Sequence, residues 1–208
     1  MYFKQITVGH MGNFAYLFGC EETKEAGIVD PAFNIEKLIE TAVNDGYKIK
    51  YIFTTHGHFD HAGGHKTVAE RTGAKIIAHK KEAAILKNKN IPVDIEVEDQ
   101  DEIKVGKVTV KIIHTPGHTA GGICLLIDNQ KLLTGDTLFV GDCGRTDLAG
   151  GSSAELYRSI NEKLKVLRND IEVYPGHSYG GSKSTIGHEK ATNQTMKCKT
   201  LREFEELP

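Results

Sequence analysis

The stretch Thr55-His56-Gly57-His58-Phe59-Asp60-His61 places three imidazoles and one carboxylate within six consecutive positions. As packing, such a cluster is expensive, because every buried ring needs polar partners. As a ligand set it is coherent, since neutral imidazole and carboxylate suit zinc, iron or manganese. His56 and His58, at i and i+2 of an extended loop, point the same way and leave Asp60 and His61 to face a neighbouring point. Gly57 and the Gly63-Gly64 pair give the backbone freedom to fold so tightly. Taken alone, the stretch also reads as a polar surface turn with adventitious metal affinity.

The surrounding sequence argues against that bland reading. Upstream, short apolar runs predict strands at 3–8, 14–18 and 26–29, the last closed by a turn at Asp30-Pro31. Asn34 fits the N-cap of a helix running to about Ala42, with Ile35, Leu38 and Ile39 on one face. Residues 51–53 form a buried strand leading into the histidine loop, 54–64. Downstream come a helix at 65–71 and a strand at 75–78. The segment 94–106 is acidic and reads as irregular. Strands follow at 108–113, 123–127 and 131–134, the last two around a turn at Asp128-Asn129. Residues 153–167 carry helical period, with Leu156, Ile160, Leu164 and Leu167 on one stripe and Ser152 or Ser153 as cap. A last strand at 171–174 precedes Pro175-Gly176-His177, and the tail from Ile186 reads as two helical pieces. His56, His118, Asp136 and His177 thus each follow shortly after a predicted strand. Strand ends at one sheet edge can gather residues far apart in sequence into one site.

Composition narrows the class. The chain has 208 residues, 39% hydrophobic and 26% charged, which suits a folded globular protein and predicts a single domain over 1–208. A net charge of −2 argues against a general nucleic-acid-binding surface. The four cysteines, Cys20, Cys124, Cys143 and Cys198, form no CxxC pair and read as free thiols rather than a disulfide framework. The N-terminal residues show no signal-peptide pattern, and no apolar stretch is long enough for a membrane span. A soluble cytoplasmic protein without nucleic-acid or membrane partners is the default expectation. Oligomeric state is not legible.

Residues 55–61 resemble the THxHxDH signature of the metallo-β-lactamase superfamily. Four further matches follow the family order: Val29-Asp30-Pro31, HTPGHT at 114–119, TGDTLF at 134–139 and YPGH at 174–177. The resemblance implies an α/β (α+β) fold, the αββα sandwich, with metals in a cleft at one edge of two sheets. It places His56, His58 and His118 on one metal, Asp60, His61 and His177 on a second, and Asp136 between them. It implies two divalent ions, zinc first, with iron or manganese as other candidates. A bridging ion lowers the pKa of bound water, so hydroxide attack on an ester, thioester, lactone or amide is the expected reaction. Asp60 is the candidate to orient the nucleophile and accept its proton. His114 reads as a supporting residue, and His10, His65, His79 and His188 as surface or packing residues.

Residues 141–148, Gly-Asp-Cys-Gly-Arg-Thr-Asp-Leu, resemble two groups within the family, glyoxalase II and the persulfide dioxygenases. Both act on glutathione-type thiols, so the expected substrate is a small thiol-linked molecule. Likeness to glyoxalase II puts Arg145 and Tyr179 in substrate binding. An Arg fork fits a substrate carboxylate, although Arg145 could instead pair with Asp142 or Asp147, and Tyr179 could simply pack on the cleft wall. Glyoxalase II carries a further C-terminal helical domain, whereas this sequence ends at Pro208. That shifts the expectation toward short glyoxalase II-like hydrolases, whose tail shares the Thr-Ile-x-x-Glu-Lys pattern of 185–190. The rival reading is a persulfide dioxygenase holding one iron through His56, His118 and Asp136. Flavodiiron and nuclease relatives fit less well, because no flavin domain or basic face is legible.

Overall fold

The computed structural model describes residues 1–207. Twelve strands pair into two mixed sheets. The first contains β1 (Tyr2–Val8), β2 (Asn13–Gly19), β3 (Glu25–Val29), β4 (Lys48–Phe53), β5 (Lys75–His79) and β6 (Ile95–Val97), side by side in that order. The second contains β7 (Glu102–Val105), β8 (Val108–His114), β9 (Ile123–Ile127), β10 (Lys131–Gly135), β11 (Glu172–Pro175) and β12 (Ser184–Thr185). Antiparallel pairs turn back on short loops, but the parallel pairs need crossovers. Helices supply them: α1 (Ile35–Asn44) between β3 and β4, then α2 (Phe59–Ala62) and α3 (His65–Thr72) before β5. The helix α4 (Lys80–Asn88) links β5 to β6, and α5 (Ser153–Arg158) with a π-helical continuation over Ser159–Leu164 links β10 to β11. The tail forms α6 (Ile186–Thr192), α7 (Gln194–Lys197) and α8 (Leu201–Glu205).

Strand alternation builds three apolar layers. In β2, Phe14, Tyr16 and Phe18 face the layer between the sheets, while Ala15 and Leu17 face the helices α1, α3 and α4. In β9, Ile123, Leu125 and Ile127 meet that middle layer, and Cys124 and Leu126 meet α5 and the tail helices. Both strands are buried on two faces, so they read as continuous apolar runs. The result is the αββα sandwich that the sequence resemblance implies. Each fully buried Leu, Ile or Phe contributes roughly 1.5–3 kcal/mol.

Several expectations need correction. The segment 94–106 is not irregular, because it holds the edge strands β6 and β7. Their outward positions carry Glu96, Glu102 and Lys104, and such charges protect a sheet edge while hiding its apolar alternation. The helix from Ser153 is regular only to Arg158, and its π-helical part ends at Leu164. There Ser159 donates its hydroxyl to the Pro116 carbonyl at 2.7 Å. Ser152 is the cap, accepting from the Glu155 amide at 3.3 Å. Asn34 sits at the start of α1 with φ 54° and makes no capping bond, since its side chain accepts from the Gly9 amide at 3.1 Å. The tail forms three helices, and α4 stands where the sequence reading assigned no element.

Candidate metal site

All seven candidate ligands converge where β3, β4, β8, β10 and β11 end. Backbone bonds lock the two sheets together at this edge, from Ile123 N to Thr55 O at 2.9 Å and from Phe14 N to Gly176 O at 2.8 Å. Two groups form, His56–His58–His118 and Asp60–His61–His177, each with its donor atoms within 4.8 Å of one another. Between them stands Asp136. Its Oδ1 lies 3.3 Å from His61 Nε2, and its Oδ2 lies 3.6 Å from His118 Nε2 and 3.4 Å from His177 Nε2. A third set, Asp30–His56–His61, also meets the donor criterion. Asp30 spends its oxygens on Thr55 and His61, however, so it supports the site rather than facing it.

The imidazoles are aimed by bonds on their outer nitrogens. His118 Nδ1 meets the Arg145 carbonyl at 2.7 Å, and His177 Nδ1 meets the Met11 carbonyl at 3.0 Å. Carbonyls only accept, so both Nδ1 atoms carry a proton and Nε2 is the nitrogen turned toward the site. The Thr55 hydroxyl donates to Asp30 Oδ2 at 2.5 Å, so it accepts from His56 Nδ1 at 3.1 Å. His61 Nδ1 lies 2.9 Å from Asp30 Oδ2, the same arrangement. His58 differs, presenting Nδ1 to His118 Nε2 at 3.0 Å. Asn13 holds Asp60 through its side-chain amide, 3.0 Å from Oδ2 and 3.1 Å from the backbone carbonyl.

These residues fit divalent metal. His56 Nε2 and Asp136 Oδ1 are buried with no hydrogen-bond partner among the described residues, which is costly unless something else satisfies them. Facing donors lie 3.0–3.6 Å apart. Tetrahedral ligands at about 2.0–2.1 Å from zinc would stand roughly 3.3–3.4 Å from one another. Burial, then the neighbouring His61 and His118, pull His56 well below the ordinary histidine range. Burial also lowers His177, but hydrogen bonds to Asp136 and Asp60 outweigh it and raise the group to about 10. For Asp60, the upward push of burial is overcome by His177 and His61, so its carboxyl falls below the usual range.

The other candidates sit at the rim or behind the site. Tyr179 is 65% exposed and stacks on His177 with ring centroids 4.6 Å apart. Phe139 meets both rings edge-on. Arg145 is exposed and paired with Asp147 through two contacts of 2.6 Å, while its carbonyl orients His118. His65 is buried against the Thr54 hydroxyl at 2.8 Å, and burial lowers it to about 4. His79 is buried and stacks on His114 at 3.9 Å, and His114 Nε2 reaches the Ala120 carbonyl at 3.1 Å. His10 and His188 are exposed.

Sequence reasoning missed Asn13, Glu82, Glu189 and Asn193. In the tail, Glu189 accepts from the Gly141 amide at 2.9 Å, and Asn193 donates to the Asp142 carbonyl at 3.0 Å. The Thr-Ile-x-x-Glu-Lys pattern therefore anchors the loop that follows Asp136. The pattern was legible in the sequence, but its role was not, because Glu189 is only an acid on the apolar side of a helix until α6 packs.

With this fold and this site, the chain belongs to the metallo-beta-lactamase superfamily, whose profile matches residues 9–177. Among curated relatives, a hydroxyacylglutathione hydrolase of Polaromonas sp. is 42% identical over 170 residues, covering 80% of this chain and 62% of the relative. The mitochondrial persulfide dioxygenase ETHE1 of Homo sapiens is 32% identical, covering 89% of this chain and 72% of that protein. The crystal structure of ETHE1 from Myxococcus xanthus superposes with TM-score 0.90 at 30% identity, over 100% of this chain and 92% of that one. The chain thus spans less than two thirds of the first curated relatives it matches.

Proposed function

We propose that the protein is a metal-dependent thioester hydrolase of the glyoxalase II type, acting on a small thiol-linked acyl substrate. The observation that carries this reading is Asp136 standing between two donor groups. His56, His58 and His118 would hold one divalent ion, Asp60, His61 and His177 a second, and Asp136 both. Bound there, the ions supply Lewis acidity for the carbonyl and for water. The chain's own residues do the rest. Asp60, held by Asn13 and kept anionic by His177 and His61, orients the attacking water and accepts its proton at the carboxylate. Tyr179 and Arg145 flank the opening, where the phenol ring and the guanidinium fork suit a thiol-linked peptide with carboxylates. Arg145 must leave or share Asp147 to do so. Relatives named hydroxyacylglutathione hydrolases support this substrate class.

A second reading, persulfide oxidation with one iron held by His56, His118 and Asp136, draws support from the similarity to the ETHE1 proteins. Metal analysis of protein purified without chelators, followed by two assays, separates the readings. Hydrolysis of S-lactoylglutathione with close to two metal equivalents supports the first. Oxygen uptake with glutathione persulfide and close to one iron, without thioester hydrolysis, overturns it in favour of the second.

A further inference from the structure

Glu82, in the first turn of α4, is fully buried yet belongs to neither donor group. Its Oε2 accepts from the Gly57 amide at 2.8 Å, and its Oε1 accepts from the Thr119 hydroxyl at 2.6 Å and the Gly121 amide at 3.1 Å. Gly57 separates His56 from His58, and Thr119 follows His118. One carboxylate therefore joins the two loops that carry the first three histidines. The opposite end of the same helix grips Gly57 from its other side, because Lys89, the C-cap of α4, donates from Nζ to the Gly57 carbonyl at 2.7 Å. Both glycines are needed for the approach: a Cβ on Gly57 would stand 2.7 Å from Glu82 Oε2, and one on Gly121 2.7 Å from Glu82 Cγ. His79, at the start of α4, stacks on His114, which bonds the Ala120 carbonyl of the same loop. The second group is held by other residues, namely Asn13, Asp30 and the Met11 carbonyl, none of them on α4.

We propose that Glu82 is a positioning residue specific to the His56–His58–His118 group. It fixes the spacing of the three imidazoles, and with it how long that group keeps its ion, while leaving the second group untouched. Lys89 reinforces it from the solvent side. The inference rests on the metal-binding reading above. Outer partners of ligating side chains commonly change metal affinity 10–100-fold.

The test is metal release. Zinc-loaded wild type, Glu82→Gln and Lys89→Met are mixed with a colorimetric chelator, and the melting temperature of each metal-free chain is recorded. A glutamine keeps the size but turns a donor toward one of the loops. The expected result is two release phases in wild type, with one accelerated about tenfold or more in Glu82→Gln and the other unchanged. Lys89→Met should accelerate the same phase about threefold, with the metal-free melting temperature close to wild type. It decides the matter if Glu82→Gln does not fold, because Lys89 is exposed and outside the core. Equal acceleration of both phases, or wild-type release in both variants, would overturn the assignment while leaving the metal reading intact. A wild-type chain that takes up no zinc would overturn both.

Discussion

At the residue scale, Asp136 is the group whose removal does most damage. It faces His61, His118 and His177 at once, so no other side chain can take its place. Asp136→Ala should lower bound metal to one equivalent or less and activity by at least about a hundredfold, a larger effect than losing an outer partner. Elemental analysis and steady-state rates check this, and full metal content in the variant would remove Asp136 from between the ions. His177 gives a pH prediction for the metal-free chain. Its folded pKa, about 10, exceeds the ordinary 6.5, so the protonated form stabilises the fold. That contribution is complete below about pH 6.5 and is lost as pH rises through about 10. Metal must displace this proton, so loading should release protons near neutral pH and weaken as pH falls. Calorimetric titration in two buffers of different ionisation enthalpy reads the proton count, and identical heats would refute it.

At the element scale, helices brace the loops carrying ligands in addition to the loops' own hydrogen bonds, such as Gly117 N to Thr119 O at 3.0 Å. The Gly117 position at 114–119 lies against the backbone of Leu156 in α5, with φ +140°, so a side chain there would collide with the helix. Leu156 is itself fully buried among Ile160, Leu164 and Ile186. Leu156→Ala should destabilise by about 2–5 kcal/mol and loosen the loop that carries His118. Denaturant unfolding measures the first effect, and a loss below about 1 kcal/mol would mean that the helix repacks without it. The motifs themselves were legible in sequence because their residue types are costly in any other role. The elements that brace them were not. Glu82 and Glu189 look like ordinary helix acids until tertiary packing buries them. The edge strands β6 and β7 were masked by their outward charges.

At the scale of the whole molecule, the site lies on the edge where both sheets meet, so metal binding and folding are coupled. Each group draws on loops from both sheets: His56 and His58 with His118, and Asp60 and His61 with His177. An ion bound only to the native state stabilises it by RT ln(1 + [L]/Kd), about 2.7 kcal/mol at a hundredfold excess. For a chain of this size that is roughly 5–10 °C per ion. Removing metal with a chelator should lower the melting temperature by at least that amount, and re-adding zinc should restore it. An unchanged transition in differential scanning calorimetry would show that the two sheets hold together without the ions.

The sequence alone determined the chemistry of the donors and their order along the chain, and the family resemblance of its motifs implied the sandwich. Histidine and aspartate cost too much when buried to gather there by chance, and the continuous apolar runs of β2 and β9 suit strands covered on both faces. Tertiary structure decided what no local pattern holds. It set which nitrogen of each imidazole faces inward, because that depends on carbonyls and carboxylates distant in sequence, such as Met11 for His177 and Arg145 for His118. It also paired Arg145 with Asp147 and buried Glu82 between two loops 64 residues apart, 57 and 121, since such contacts exist only once both sheets and α4 have packed.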